Sequence, residues 1–159
     1  DHIGLLVGDE RRLDVMEALA NGGVQTSRFS QFYNCGWYKQ YSSIALRRLV
    51  GPMSQDMRKQ LTDFINRAMG KKYKVKAFQM VSQWLGASGG GQYETDKTHF
   101  CCSELVAAAY KDLGILRPDI DAVVYLPGSF GADKQLMLLE GFRLSEEMEV
   151  KFETRKDDN

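Results

Sequence analysis

The stretch that most constrains this chain is Thr98-His99-Phe100-Cys101-Cys102-Ser103-Glu104-Leu105, which opens a helix read through Val106, Ala107, Ala108, Ala109, Tyr110 and Leu113 to Gly114. The first turn of a helix leaves backbone N–H groups without intrahelical partners and carries the positive end of the helix dipole. A cysteine held there is biased towards thiolate, its nucleophilic form. Two cysteines compete for the place. Cys102, Leu105, Val106, Ala109 and Leu113 fall at i, i+3, i+4, i+7 and i+11, a single apolar stripe. Cys101 points about 100° away, on the face of Glu104, Ala108 and Asp112. Helical spacing therefore turns Cys102 towards the rest of the fold. There it is either a nucleophile that partner side chains can reach or a small buried core residue, a common fate of free cysteine.

A nucleophilic cysteine needs a base, and histidine is the natural one near neutral pH. The base in turn needs a third group to fix its tautomer. His2-Ile3-Gly4-Leu5-Leu6-Val7 reads as a strand ended by Gly8-Asp9, and Leu13 to Leu19 as a second strand, close enough to form a hairpin. In the second strand Leu13, Val15, Glu17 and Leu19 share a face. A carboxylate among aliphatic residues is costly to bury unless paired, so Glu17 either has a partner or sits at a solvated strand end. Side by side in a hairpin, His2 and Glu17 would join Cys102 in a candidate catalytic set. His99 is a substitute base, or else a surface or capping residue.

The remaining chain supplies scaffold. Asn21-Gly22-Gly23 is a turn, Val24 to Phe29 a short strand, Ser30 to Tyr33 a helical turn, and Tyr41 to Val50 a strand with Ile44, Leu46 and Arg48 on one side, broken by Gly51-Pro52. Ser54 caps a helix whose inner face is Met57, Leu61, Phe64, Ile65 and Ala68, ended by Gly70. The basic run Lys71 to Lys76 is either a phosphate-attracting patch or a solvated surface. A further helix is expected over Ala77 to Leu85, and a glycine-rich loop over Gly86 to Lys97 that is either a lid or a plain connection. Tyr125 to Phe130 reads as a turn into a short helix, Phe142 to Leu144 and Met148 to Phe152 as final strands, and Glu153 to Asn159 as a polar tail.

Composition bounds the partners. A formal net charge of zero gives no support for nucleic acid or an anionic membrane surface. No apolar run reaches the roughly 18 residues of a membrane span. Three cysteines, two of them adjacent, make a poor disulfide framework and suit a reducing, cytoplasmic compartment. With only two histidines and no CxxC spacing, neither a zinc site nor another cofactor is expected. The length suits one domain, Asp1 to Asn159. The chain opens at Asp1 directly on an apolar run, so an upstream strand is expected to precede it.

Asp1-His2-Ile3-Gly4-Leu5-Leu6-Val7-Gly8, Val15-Met16-Glu17-Ala18, Gly22-Gly23-Val24 and Phe100-Cys101-Cys102-Ser103-Glu104-Leu105-Val106 together resemble the circularly permuted NlpC-type papain-like amidases of the YiiX/YaeF branch. Gly70-Lys71-Lys72-Tyr73 and Leu126-Pro127-Gly128 resemble two further segments of that family. The resemblance spans about Asp1 to Phe130. It implies an α+β, permuted papain-like fold, with an antiparallel half-barrel sheet packed on the cysteine helix. It also implies Cys102 as nucleophile, His2 as base and acid, Glu17 as the residue orienting His2, and Tyr73 lining the site. The activity implied is hydrolysis of an amide or peptide bond in a peptide or small acyl substrate. The alternative is a silent module of the same fold, kept for binding in a larger assembly. Lys74 departs from the family, where many relatives have Asp after the tyrosine.

Overall fold

The computed structural model describes residues 1–9, 11–73 and 98–152. The helix expected over Ala77 to Leu85, the loop over Gly86 to Lys97, Lys74 and the tail from Glu153 lie outside the described residues.

The N-terminal hairpin forms, with later boundaries than the sequence suggests. Strand β1 is Leu5–Asp9, β2 is Arg12–Leu19 and β3 is Gly23–Arg28, in one antiparallel sheet of order β1-β2-β3. Gly8-Asp9 does not end the first strand. Gly8 has φ 122°, and a Cβ there would lie 1.9 Å from the Arg12 carbonyl oxygen, so glycine lets the strand run into the turn. Asp9 Oδ1 then closes the turn by accepting from the Arg11 and Arg12 N–H groups at 2.9 and 3.1 Å. The shift leaves His2 just before β1. The chain there still runs against β2, because a Cβ on Gly4 would meet the Met16 carbonyl oxygen at 3.2 Å and Glu17 Cβ at 3.5 Å.

Beyond β3 come helix α1 (Phe29–Asn34) and a 3-10 turn (Trp37–Gln40). The single strand expected over Tyr41 to Val50 is two short ones, β4 (Ala45–Leu46) and β5 (Leu49–Val50). At the break the Arg48 N–H donates to Ser145 Oγ (2.9 Å) instead of a carbonyl. Arg47 meanwhile turns its guanidinium onto the carbonyls of Ser145, Phe130 and Gly131 at 2.8 to 2.9 Å. Arg48 is exposed, whereas Ile44 and Leu46 are half-buried, so the expected common face does not form.

Helix α2 (Gln55–Ala68) matches its pattern. Ser54 Oγ accepts from the Met57 N–H, Phe64 and Ala68 are buried, and Met57, Leu61 and Ile65 pack against the core. The chain returns to β3, where the Val24 N–H donates to Lys71 O (2.7 Å) and the Gly70 N–H to Val24 O (2.9 Å). Gly23 permits that approach, since its Cβ would lie 2.2 Å from Lys71 O. This seats β6 (Lys72–Tyr73), which pairs with β7 (His99–Phe100). That pair is parallel, so the sheet structure is not wholly antiparallel as expected.

Helix α3 (Cys102–Asp112) follows at once, with Cys101 as its N-cap. Of the residues read from sequence as its opening, His99 and Phe100 are strand. Every residue from Cys102 to Tyr110 is buried, Leu105 to 1% and Ala107 to 0% exposure. The apolar stripe is therefore not a boundary with water: the small residues Ala107, Ala108 and Ala109 let neighbours close in on all sides. Two 3-10 turns (Ala122–Val124 and Pro127–Phe130) lead to β8 (Arg143–Leu144) and β9 (Met148–Glu149), which pair antiparallel with β5 and β4.

Candidate active site

Glu17 lies in the half of β2 where both faces are covered. Met16 and Ala18 on either side are fully buried, and Glu17 itself is 5% exposed. The solvated strand end is thus excluded, and a buried carboxylate requires a partner. His2 is that partner, with Nε2 donating to Glu17 Oε2 at 2.8 Å. The carboxylate fixes the tautomer and leaves Nδ1 for the other side of the ring. Cys102 lies beside the same imidazole, close enough for its thiol and His2 to shift each other's pKa. The three residues are brought together by the hairpin on one side and the first turn of α3 on the other.

The electrostatics follow from this arrangement. The Cys102 hydrogen bond, then the Glu17 hydrogen bond, raise the His2 pKa to about 9 against the opposing effect of burial. Burial works in the opposite sense on Cys102, disfavouring the thiolate. The His2 hydrogen bond, the Ile3 backbone N–H, the His2 charge and the Ser103 backbone N–H outweigh it and hold the thiol below its ordinary value. The proton is thus favoured on imidazole rather than on sulfur. As the first residue of α3, Cys102 also keeps a backbone N–H free of intrahelical partners.

Cys101 and His99 are placed differently. Cys101 is half-buried, its Sγ 3.9 Å from Ser103 Oγ, and burial pushes its thiol up. Its N–H donates to Glu104 Oε2 (3.4 Å) at the helix start. His99 is exposed, and its Nδ1 shares a 2.7 Å hydrogen bond with Thr98 Oγ1. Tyr73 on β6 borders the two cysteines: burial, then the charges on Cys102 and Cys101, raise its pKa. Of the basic run, Lys71 stands 5.5 Å over the Phe100 ring and Lys72 is exposed.

Sequence reading missed Tyr41, whose ring is stacked with the His2 imidazole at a centroid distance of 6.1 Å. It also missed the backbone of Ile3 and Ser103, which lowers the Cys102 pKa and which no residue type announces. The one available signal for Tyr41 was the aromatic-rich segment around it, Phe29 to Tyr41. Among the described residues no group of His, Cys, Asp and Glu is arranged to hold a metal ion, and no helix is long and apolar enough to cross a membrane.

A family model described as permuted papain-like amidase enzyme, YaeF/YiiX, C92 family, matches residues 1–126. The chain belongs to this family. No curated protein and no solved structure matches it. The matched span includes β1 to β3, α2 and α3, and so takes in His2, Glu17, Tyr73 and Cys102.

Proposed function

We propose that this permuted papain-like amidase is a thiol hydrolase that cleaves an amide or peptide bond through an acyl-enzyme on Cys102. The observation that carries the reading is the single imidazole of His2 held between a buried carboxylate, at 2.8 Å, and a thiol at a helix start. Cys102 sulfur attacks the substrate carbonyl. The oxyanion forms beside the Cys102 N–H and the positive end of α3. His2 then gives its proton to the departing nitrogen, the C–N bond breaks, and the acyl group stays on sulfur as a thioester. Next His2 takes a proton from water, hydroxide adds to the thioester carbonyl, and sulfur leaves as the acid is released. Glu17 touches no reacting atom. It orients the imidazole and stabilises its charged form. Tyr73 borders the acyl side. The same proposal includes a single domain over the chain, with the sheet curved as a half-barrel against α3.

The pH range follows from the two shifts. Thiolate and imidazolium coexist above the lowered pKa of Cys102 and below about 9, where His2 loses its proton. The test is iodoacetamide labelling against pH, read for each cysteine by mass spectrometry, in wild type and His2→Ala. Cys102 is expected to label selectively at pH about 6 and to lose that selectivity without His2. Labelling of Cys102 no faster than that of Cys35, unchanged in His2→Ala, would remove the hydrolase reading.

A further inference from the structure

Glu17 bonds a ring nitrogen of His2 and Cys102 lies beside the same ring, and Tyr41 meets it in a different way. The Tyr41 and His2 rings are stacked, their planes 20° apart and their centroids 6.1 Å apart. From Tyr41 the ring contacts continue to Phe32 at 6.3 Å, from Phe32 to Phe29 at 6.1 Å and to Phe152 at 6.3 Å, and from Phe152 to Tyr38 at 4.3 Å. Each of these rings is only half-buried, and none belongs to the buried core cluster or packs against it. The bank is therefore a second aromatic assembly, partly open, whose near end is the base. From Phe29 to Tyr38 the chain carries no Asp, Glu, Lys, Arg or His. Tyr73, by contrast, packs against the core cluster and feels the two cysteines, whereas Tyr41 feels Glu17 and Cys102.

The chemistry assigns a use to that bank. In acylation the proton on His2 goes to the departing group, so the departing half of the substrate must lie against the imidazole while the acyl half stays with sulfur. What flanks the imidazole is what the departing half meets. Aromatic faces favour planar or apolar groups and offer no hydrogen-bond partner to an anionic one. We propose that Tyr41 and Phe32 form the subsite for the departing half of the substrate, and that it takes an aromatic or otherwise apolar amine or thiol. This rests on the hydrolase reading above.

The test uses the full chain and two N-acetylglycyl thioesters, one of benzyl mercaptan and one of 2-mercaptoethanesulfonate. Each rate is divided by the rate of the same thioester with free cysteine, to remove intrinsic reactivity. Cys102 sulfur attacks the carbonyl, the bond to the departing sulfur breaks, that sulfur takes the His2 proton, and the acyl group remains on Cys102, where mass spectrometry reads it. The measured quantity is the benzyl-to-sulfonate ratio of acylation rates, in which any general slowing through His2 cancels. Wild type and Tyr41→Phe are expected to favour the benzyl thioester by about fivefold, and Tyr41→Ala and, separately, Phe32→Ala to bring the ratio to about one. A ratio near one in wild type overturns the subsite. So does a preference that survives both alanine variants, including the case in which Tyr41→Ala slows the two thioesters equally and merely positions His2. Failure of both thioesters to acylate Cys102 overturns the hydrolase reading and the subsite with it, which separates the two failures.

Discussion

Cys101 and Cys102 are adjacent, and each has a histidine and a glutamate that suggest a catalytic set, but only one set assembles. The local set is His99, two residues before Cys101, and Glu104, three residues after it. His99 faces solvent from β7 and bonds Thr98, while a Glu104 oxygen accepts from the Cys101 N–H. The distant set is His2 and Glu17, and it converges on Cys102. The alternation of β7 exposes His99 and buries Phe100, and the turn of the helix then aims Cys102 inward. One residue of phase thus separates a thiol that burial pushes up from one whose partners pull it down. Nearness along the chain decides little; the face on which each side chain emerges decides most.

The largest effect expected from this contrast is on the nucleophile. Cys102→Ala should lower thioester hydrolysis about a thousandfold or more, to the solution background. Cys101→Ala should stay within about twofold of wild type, because the Glu104 bond to the Cys101 backbone N–H at the helix start does not depend on the side chain. Equal losses in the two variants would mean that the phase argument has chosen between them wrongly.

Next in size is the base. His2→Ala should cost about a hundred- to ten-thousandfold in turnover, the usual span for general acid–base groups. His99→Ala should leave turnover within about twofold. A collapse of activity in His99→Ala, measured on the same thioester, would return the local set to consideration.

The same contrast explains what could be read from the sequence. The hairpin was legible because β1 and β2 are neighbours in the chain, and their alternation placed Glu17 where a buried carboxylate needed a partner. The Ser54 cap and the stripe of α2 were legible because one face of that helix meets water. Helix α3 was legible as a helix with Cys102 at its start, but as an amphipathic element, since periodicity cannot register that Ala107 to Ala109 admit packing on every side. Tyr41 was invisible as a neighbour of His2. It was assigned to a strand that Arg47 and Ser145 interrupt, through contacts between residues far apart in the chain.

A finer test separates the two partners of His2. By NMR its imidazole should titrate at about 9 in wild type. Cys102→Ala and Glu17→Gln should each lower that value, the cysteine variant more, because the Cys102 hydrogen bond is the larger cause of the shift. The reverse order would make Glu17 the dominant partner and weaken the case for a thiolate–imidazolium pair in the resting protein.

The smallest effect is on stability against pH, and its sign is specific. His2 keeps in the folded chain a proton that the unfolded chain releases near 6.5, so its stabilising contribution is complete below 6.5 and is lost as pH rises towards about 9. Cys102 does the opposite. Its lowered folded pKa gives a contribution that is present above the ordinary thiol value of 9.0 and lost as pH falls through the lowered value. In wild type the two slopes oppose each other, since folding moves a proton from sulfur to imidazole without exchanging one with solvent. The urea midpoint should therefore change little from pH about 7 to about 9. In Cys102→Ala the sulfur is gone and the Glu17 bond still raises His2, so the midpoint should fall as pH rises above 6.5. A wild-type midpoint that falls as steeply as the variant's would mean that Cys102 keeps its proton in the folded chain, and that its thiol behaves like that of Cys101.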